Sequence, residues 1–240
     1  MKKVLLMIPA YNEEDILEKN IIKLHNFFKK NIKNYKWEIL ISDNNSKDKT
    51  LKTAKKLSKK YKEIDFVHLE ENPKSNSIKK AWLSKDADIY MYMDADLSTD
   101  IKHIPQLIEN IEKGYDIVTG SRVSKESEAS RSFLRKIISK TLKLIIKIFF
   151  SINLQDFQCG FKAINRKVRD NIISKMKALN HGFMDTEMIV VANNKGYKIK
   201  EFPVKWEDTR KSKVQVFKDI IDTSKNILRI KLDIMTGKYG

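Results

Sequence analysis

At 240 residues and 41% apolar content, the chain can bury a substantial core, which excludes an intrinsically disordered protein. Its 48 basic against 31 acidic residues leave a formal charge of +17. That excess points to an anionic partner (nucleic acid, an acidic membrane surface or phosphorylated ligands), with plain lysine bias as the alternative. The lone Cys159 excludes an internal disulfide, and no apolar run reaches the ~18 residues of a membrane-crossing helix, so a soluble or peripheral protein is expected.

The first half alternates strands and helices. Val4–Ile8 reads as a buried strand, followed by Ile16, Ile21, Leu24, Phe27 and Phe28 at helical spacing. Trp37–Ile41 is a second strand. It runs into SDNNSKD, where Asp43, Asn44 and Asn45 suit a turn and Ser46 or Asp48 a helix cap. A helix over Thr50–Lys60, a strand at Phe66–Leu69, a helix around Ile78–Leu83 and a strand at Ile89–Met93 follow. Ile101–Lys113 is helical and Asp116–Thr119 a fifth strand. This order predicts an α/β protein with a Rossmann-like open, mainly parallel sheet and helices on both faces. Such sheets bind ligands at the carboxyl ends of their strands, where Asn12, Asp43 and Asp94 all fall.

The second half is less regular. Arg131–Phe150 is one long amphipathic helix or two broken ones, and QCGFKAIN carries a short strand. Lys167–Lys175 and Asp185–Asn194 read as helices, Lys198–Val204 as a strand and Val216–Leu232 as a final amphipathic helix. Neither a linker nor a repeat divides the chain, so one domain over 1–240 is expected. Within it, 1–122 would form the ligand-binding half and 123–240 an acceptor half.

MDADLSTD places Asp94 and Asp96 at the end of a buried strand. Two carboxylates that close repel each other unless a cation or a hydrogen-bond network holds them, so the pair is either a solvated loop or a metal site. Two hard oxygen ligands with open positions suit Mg2+ or Mn2+ bridging a diphosphate. In SFLRKIISKTLKLIIKIFF, Lys136, Lys140, Lys143 and Lys147 form one stripe. Leu134, Ile138, Leu142, Ile145 and Phe149 lie broadly opposite, and Ile146, Ile148 and Phe150 widen the apolar face. The pattern describes a helix lying in a membrane interface or a core-facing helix with a solvated lysine edge. Arg131 and Arg135, one turn apart, either grip phosphate oxygens or pair with Glu126 or Glu128.

IPAYNEE, ISDNNSKDKT and MDADLSTD, followed by GSR (120–122), ASRSFLR (129–135), QDFQCGFKAI (155–164), FMDTEM (183–188) and VKW (204–206), resemble the inverting family-2 glycosyltransferases of GT-A fold. Within them, the pattern is similar to the polyprenyl-phosphate branch, nearer the dolichyl-phosphate glucosyltransferases than the mannosyltransferases. The resemblance implies a GT-A fold with amphipathic membrane-interface helices. It also implies metal-dependent, inverting transfer of a hexose from UDP or GDP to a polyprenyl or dolichyl phosphate, at the cytoplasmic face of a membrane and without nucleic acid. UDP-glucose is the expected donor. GDP-mannose, or a glycan hydroxyl as acceptor, is the alternative.

Residue by residue, the resemblance places Pro9, Tyr11 and Glu13 in the nucleotide pocket and Asp43 on the base. A carboxylate at a strand end can accept the ring N–H of uracil or guanine; an Asx turn is the competing reading. Asp94 and Asp96 would hold Mg2+ or Mn2+, with Arg122 and Asp185 joining them in the catalytic centre. Arg131, Arg135 and Lys213 would meet the acceptor phosphate, and Asp156 and Gln158 would line the sugar or brace the loop. The family's glycine-rich run after the third strand is replaced by NPKSNSIKKA, where Lys74 or Lys79 could still reach a phosphate. Asp185 and Glu187 are the places to look for a general base. A phosphate monoester, with its second pKa near ~6, does not require one.

Overall fold

A computed structural model describes residues 1–70, 74–123, 143–176, 183–207 and 216–239, with side chains left aside at 74–76 and 216–224. One sheet of seven strands organises them, in the order β3-β2-β1-β4-β6-β5-β7. The strands are β1 (Lys3–Ala10), β2 (Lys36–Asp43), β3 (Ile64–His68), β4 (Ile89–Met93), β5 (Ile117–Ser121), β6 (Phe161–Asn165) and β7 (Ile199–Pro203). The helices are α1 (Leu17–Asn31), α2 (Thr50–Lys60), α3 (Lys74–Ser84), α4 (Ile104–Glu112), α5 (143–150), α6 (Arg166–Asn171), α7 (Met184–Asn194) and α8 (Val216–Met235). The expected open, mainly parallel sheet is present, with β6 as its antiparallel member between β4 and β5.

Burial on both faces explains the continuous apolar strands. Val4, Leu6 and Ile8 of β1 face a cluster built with Leu17, Leu24 and Phe28 of α1, Leu57 of α2 and Leu107 of α4. Leu5 and Met7 face the opposite cluster, with Trp82 of α3, Val168 of α6, Met188 of α7 and Ile230 of α8. Ile101–His103 forms a separate 3-10 turn before α4, capped by Asp100, so the helix expected from Ile101 starts later.

The loop SDNNSKDKT does more than start a helix. Ser46 Oγ accepts from the Asn12 amide at 3.0 Å, so it is not the cap expected from sequence. Asp48 accepts from the amides of Thr50 (2.9 Å) and Glu14 (3.1 Å), and Thr50 Oγ1 accepts from the Glu13 amide at 2.7 Å. The loops after β1 and β2 are thereby sewn into one wall. Asn12 and Asn45 turn these loops in the left-handed region, where asparagine is tolerated.

Among the described residues no helix is long and apolar enough to cross a membrane. In α5, Ile146 is buried, while Leu144 (58%), Ile148 (70%) and Phe149 (45%) are exposed. The stretch 124–142, with Lys136 and Lys140, lies outside the described residues. Leu228, Leu232 and Met235 of α8 are also exposed and share one face at helical spacing. Lys231 Nζ lies 5.1 Å from the centre of the Phe149 ring, which sets α5 beside α8.

α8 is fastened to α7 through Glu187. This wholly buried carboxylate accepts from Arg229 and from the Tyr239 hydroxyl. Removing one partner of a buried ion pair leaves an uncompensated charge. Arg229→Ala should therefore cost about 3 kcal/mol, and Arg229→Ala with Glu187→Gln should recover part of it. Urea unfolding midpoints of the two variants check this.

Candidate active site

Asp94 follows the last residue of β4, in the position where an open α/β sheet presents ligands. Both Asp94 and Asp96 are half-buried. Asp96 Oδ1 accepts from the Ser98 amide at 3.0 Å, and the Asp94 carbonyl accepts from the Leu97 amide at 3.1 Å. These bonds hold Leu97 at φ 53°, a left-handed conformation that costs a leucine about 1 kcal/mol. The turn is over-determined, and it fixes where the two carboxylates sit.

The register of β4 with β6 pairs Met93 with Phe161, so Gly160 falls beside Asp94. A Cβ at Gly160 would lie 2.1 Å from Asp94 Oδ2 and 2.9 Å from Oδ1. The carboxylate occupies the space that any other side chain would take. Nothing local in the QCGFK motif marks Gly160 for this task.

The loop 155–160 that delivers Gly160 is braced from two sides. Arg122 grips Asp156 with Nε to Oδ2 at 2.7 Å and Nη2 to Oδ1 at 2.9 Å, and Nη2 also donates to the Gln158 carbonyl at 2.9 Å. Glu201 of β7 accepts from the amides of Gln155 (2.9 Å) and Asp156 (2.7 Å). Burial alone would raise the Asp156 carboxyl, but the Arg122 charge and its hydrogen bonds outweigh this and hold it at about 2. The Arg122 guanidinium also lies over the Trp206 ring, 5.6 Å from its centre. Arg122, expected in the catalytic centre, thus has Nε and Nη2 committed to this loop. Asp156 is buried within the brace, and the Gln158 side chain is exposed.

Asp185, in the first turn of α7, accepts from the Tyr92 hydroxyl and lies 3.3 Å from Lys162 Nζ. Lys162, the second residue of β6, is wholly buried, and its ammonium also donates to the Cys159 carbonyl. Burial, reinforced by the Asp185 charge, keeps Tyr92 a phenol far above the ordinary range. Burial pushes the Cys159 thiol up to about 12, so it is a packed side chain rather than a nucleophile. Glu187, the other candidate base, is consumed by Arg229 and Tyr239 and has no exposed surface. Neither Lys162 nor the Tyr92 contact was legible beforehand; the only hint was the polar lysine inside an apolar strand.

On the nucleotide side, Pro9 is buried, Tyr11 is exposed and Glu13 is half-buried at the sewn β1–β2 wall. Asp43 is wholly buried, and its Oδ2 is 2.6 Å from His68 Nδ1. Lys74 starts α3, but its side chain, like Asn72, Arg131, Arg135 and Lys213, lies outside the described residues. Lys79, the alternative phosphate ligand, instead donates to the Met176 carbonyl, and burial lowers its pKa. Thr99 bridges Trp206, and the Glu207 amide donates to the Ser98 carbonyl at 2.9 Å, which ties residues 206–207 to the loop after Asp96.

Among the described residues no three His, Cys, Asp or Glu side chains form a cation site on their own. A hard cation at Asp94 and Asp96 would take its remaining ligands from phosphate oxygens and water, which is the usual state of Mg2+. The space that Gly160 leaves for the Asp94 carboxylate fits that arrangement.

Residues 6–173 match the family described as glycosyl transferase family 2. The chain belongs to that family. This glycosyltransferase is 30% identical to glycosyltransferase AglD of Haloferax volcanii over 95% of its own length. It is 30% identical to dolichyl-phosphate beta-glucosyltransferase ALG5A of Trichomonas vaginalis over 98%, and 27% identical to the human dolichyl-phosphate beta-glucosyltransferase over 99%. It spans 36% of the Haloferax protein, 74% of the Trichomonas protein and 78% of the human one. Its fold is that of mannosyl-3-phosphoglycerate synthase from Rubrobacter xylanophilus (TM-score 0.72, 16% identity, 99% of this chain and 75% of that one). Glucosyl-3-phosphoglycerate synthase from Mycobacterium tuberculosis, solved with Mn2+, UDP and glucosyl-3-phosphoglycerate, also shares it (TM-score 0.67, 14% identity, 97% of this chain and 79% of that one).

The Asp156 carboxyl sits below its ordinary value, so its contribution to stability is present above about pH 4 and is lost as pH falls toward 2. Asp156→Asn should remove about 2 kcal/mol at neutral pH and flatten the acid-unfolding curve in that window. Unfolding free energies measured from pH 2 to 7 check both.

Proposed function

We propose that this glycosyltransferase moves glucose from UDP-glucose to a dolichyl or polyprenyl phosphate at a membrane surface, with inversion at the anomeric carbon. Pro9, Tyr11, Glu13 and Asp43 receive the nucleotide, with Lys74 near its phosphates. Asp94 and Asp96 hold Mg2+ or Mn2+, which when bound neutralises charge developing on the departing diphosphate. Arg131, Arg135 and Lys213 receive the acceptor phosphate. Arg122 and Asp156 act as positioning residues, holding the 155–160 loop and hence the space in which Asp94 sits. The chain works as one domain, with donor and acceptor halves meeting at the β4 end.

One observation carries the choice of acceptor. Asp185 Oδ1 already accepts from Tyr92 and faces the buried Lys162 ammonium. That oxygen is committed to protein partners, which disfavours Asp185 as a general base for a sugar hydroxyl. A phosphate monoester is an anionic nucleophile at neutral pH and needs none. Its oxygen attacks the anomeric carbon from the face opposite the diphosphate, and the nucleoside diphosphate leaves with the bonding pair.

The surface supports a lipid-borne acceptor. Leu144, Ile148 and Phe149 on α5 and Leu228, Leu232 and Met235 on α8 are exposed apolar residues bordered by the exposed Lys147, Lys225 and Lys231. That combination describes a peripheral interface with an anionic leaflet, worth about 1 kcal/mol per nearby lysine. The cytoplasmic leaflet, where such lipids concentrate, is the expected side.

With Mn2+, radiolabel from UDP-glucose should enter the organic phase with polyprenyl phosphate, and label from GDP-mannose should not. Transfer only to a sugar hydroxyl, or none with any donor, would sink the proposal. Gly160→Ala, which displaces the Asp94 carboxylate, should lower kcat/KM about 100-fold while leaving the unfolding midpoint within a few degrees. Asp185→Asn should retain measurable turnover, whereas a hydroxyl-directed enzyme would lose it.

A further inference from the structure

Parallel register aligns the last residues of three strands. Ala10 of β1 pairs with Asp43 of β2, and Asp43 pairs with His68 of β3. Asp43 has no exposed surface, whereas the His68 side chain is 34% exposed. A carboxylate can only accept, so the 2.6 Å contact places the proton on His68 Nδ1 and uses Asp43 Oδ2. Among the described residues, Asp43 Oδ1 is buried and has no hydrogen-bond partner. A buried carboxylate oxygen without a donor is costly, which favours any arrangement that brings a donor to it.

We infer that His68 is a specificity-determining residue for the donor base: by engaging Oδ2 of Asp43, it leaves Oδ1 as the unengaged acceptor, which matches the one imide N–H of uracil better than the two donors of guanine. The inference rests on the reading that Asp43 meets the base. Uracil offers one imide N–H flanked by two carbonyls. Guanine offers two adjacent donors, its ring N1–H and exocyclic N2–H, which a free carboxylate would take with both oxygens. With Oδ2 already accepting from imidazole, guanine's second donor would have to share that oxygen, and a poorly satisfied buried donor discriminates against guanine. His68 does not touch the reacting atoms. It acts through Asp43 and is a positioning residue.

The test is calorimetric binding of UDP and of GDP, each with Mn2+, to the full chain. Wild type should prefer UDP by at least tenfold. His68→Ala should shrink the UDP:GDP affinity ratio about tenfold, with GDP gaining relative to UDP. His68→Gln, whose amide can still donate to Asp43, should restore most of the ratio. A merely structural role for His68 would weaken both nucleotides equally. An unchanged ratio in His68→Ala, or equal weakening of both ligands, would overturn the inference. So would an ordered water as the partner of Oδ1, which predicts the same unchanged ratio. The isosteric Asp43→Asn separates the two levels. If it lowers UDP affinity tenfold while His68→Ala leaves the ratio intact, only the role of His68 falls. If it leaves UDP affinity unchanged, the reading of the base site falls with it.

Discussion

The active edge depends on the close approach of a carboxylate to a backbone. Asp94 can stand at the end of β4 only because position 160, in the loop that enters the neighbouring strand, has no side chain. That neighbour arrives there only because β6 runs antiparallel between β4 and β5. The Arg122–Asp156 pair and Glu201 then hold the approaching loop against recoil. Local pieces far apart in sequence therefore serve one placement, and a perturbation of the brace is felt at the carboxylate rather than where it is made.

The parallel half was readable because its signals are local. Apolar runs such as those of β1 and β4 are buried on both faces, and the intervening helices show one apolar stripe each. The two aspartates after β4 were readable for the same reason. The antiparallel strand was harder. QCGFKAIN looked like a short strand, but nothing local says that it slips between β4 and β5. Its insertion gives Gly160 and Lys162 their tasks. The Glu187–Arg229 and Glu187–Tyr239 contacts span separations of 42 and 52 residues, beyond any periodicity argument. The Asp43–His68 pair is 25 residues apart and becomes visible only once the β2–β3 register is known.

Charge is distributed by purpose across the fold. The many lysines lie mostly on the surface, where they set the protein's long-range field without specifying its shape. The few charges that specify shape pair a buried member with a half-buried one: Asp156 with Arg122, Glu187 with Arg229, Lys162 with Asp185. Each pair joins elements distant in sequence, and truncating the half-buried member leaves its buried partner stranded in a poor solvent for ions. The formal net charge thus says little about which ionic contacts matter.

Lys162 has a consequence of its own. Its amine is sealed under the sheet, 0% exposed and fully engaged. Acylating or alkylating reagents that decorate the outer lysines would find this one shielded for as long as the strands stay together. The molecule therefore carries an internal gauge of its own integrity, a single amino group whose reactivity tracks the opening of its middle.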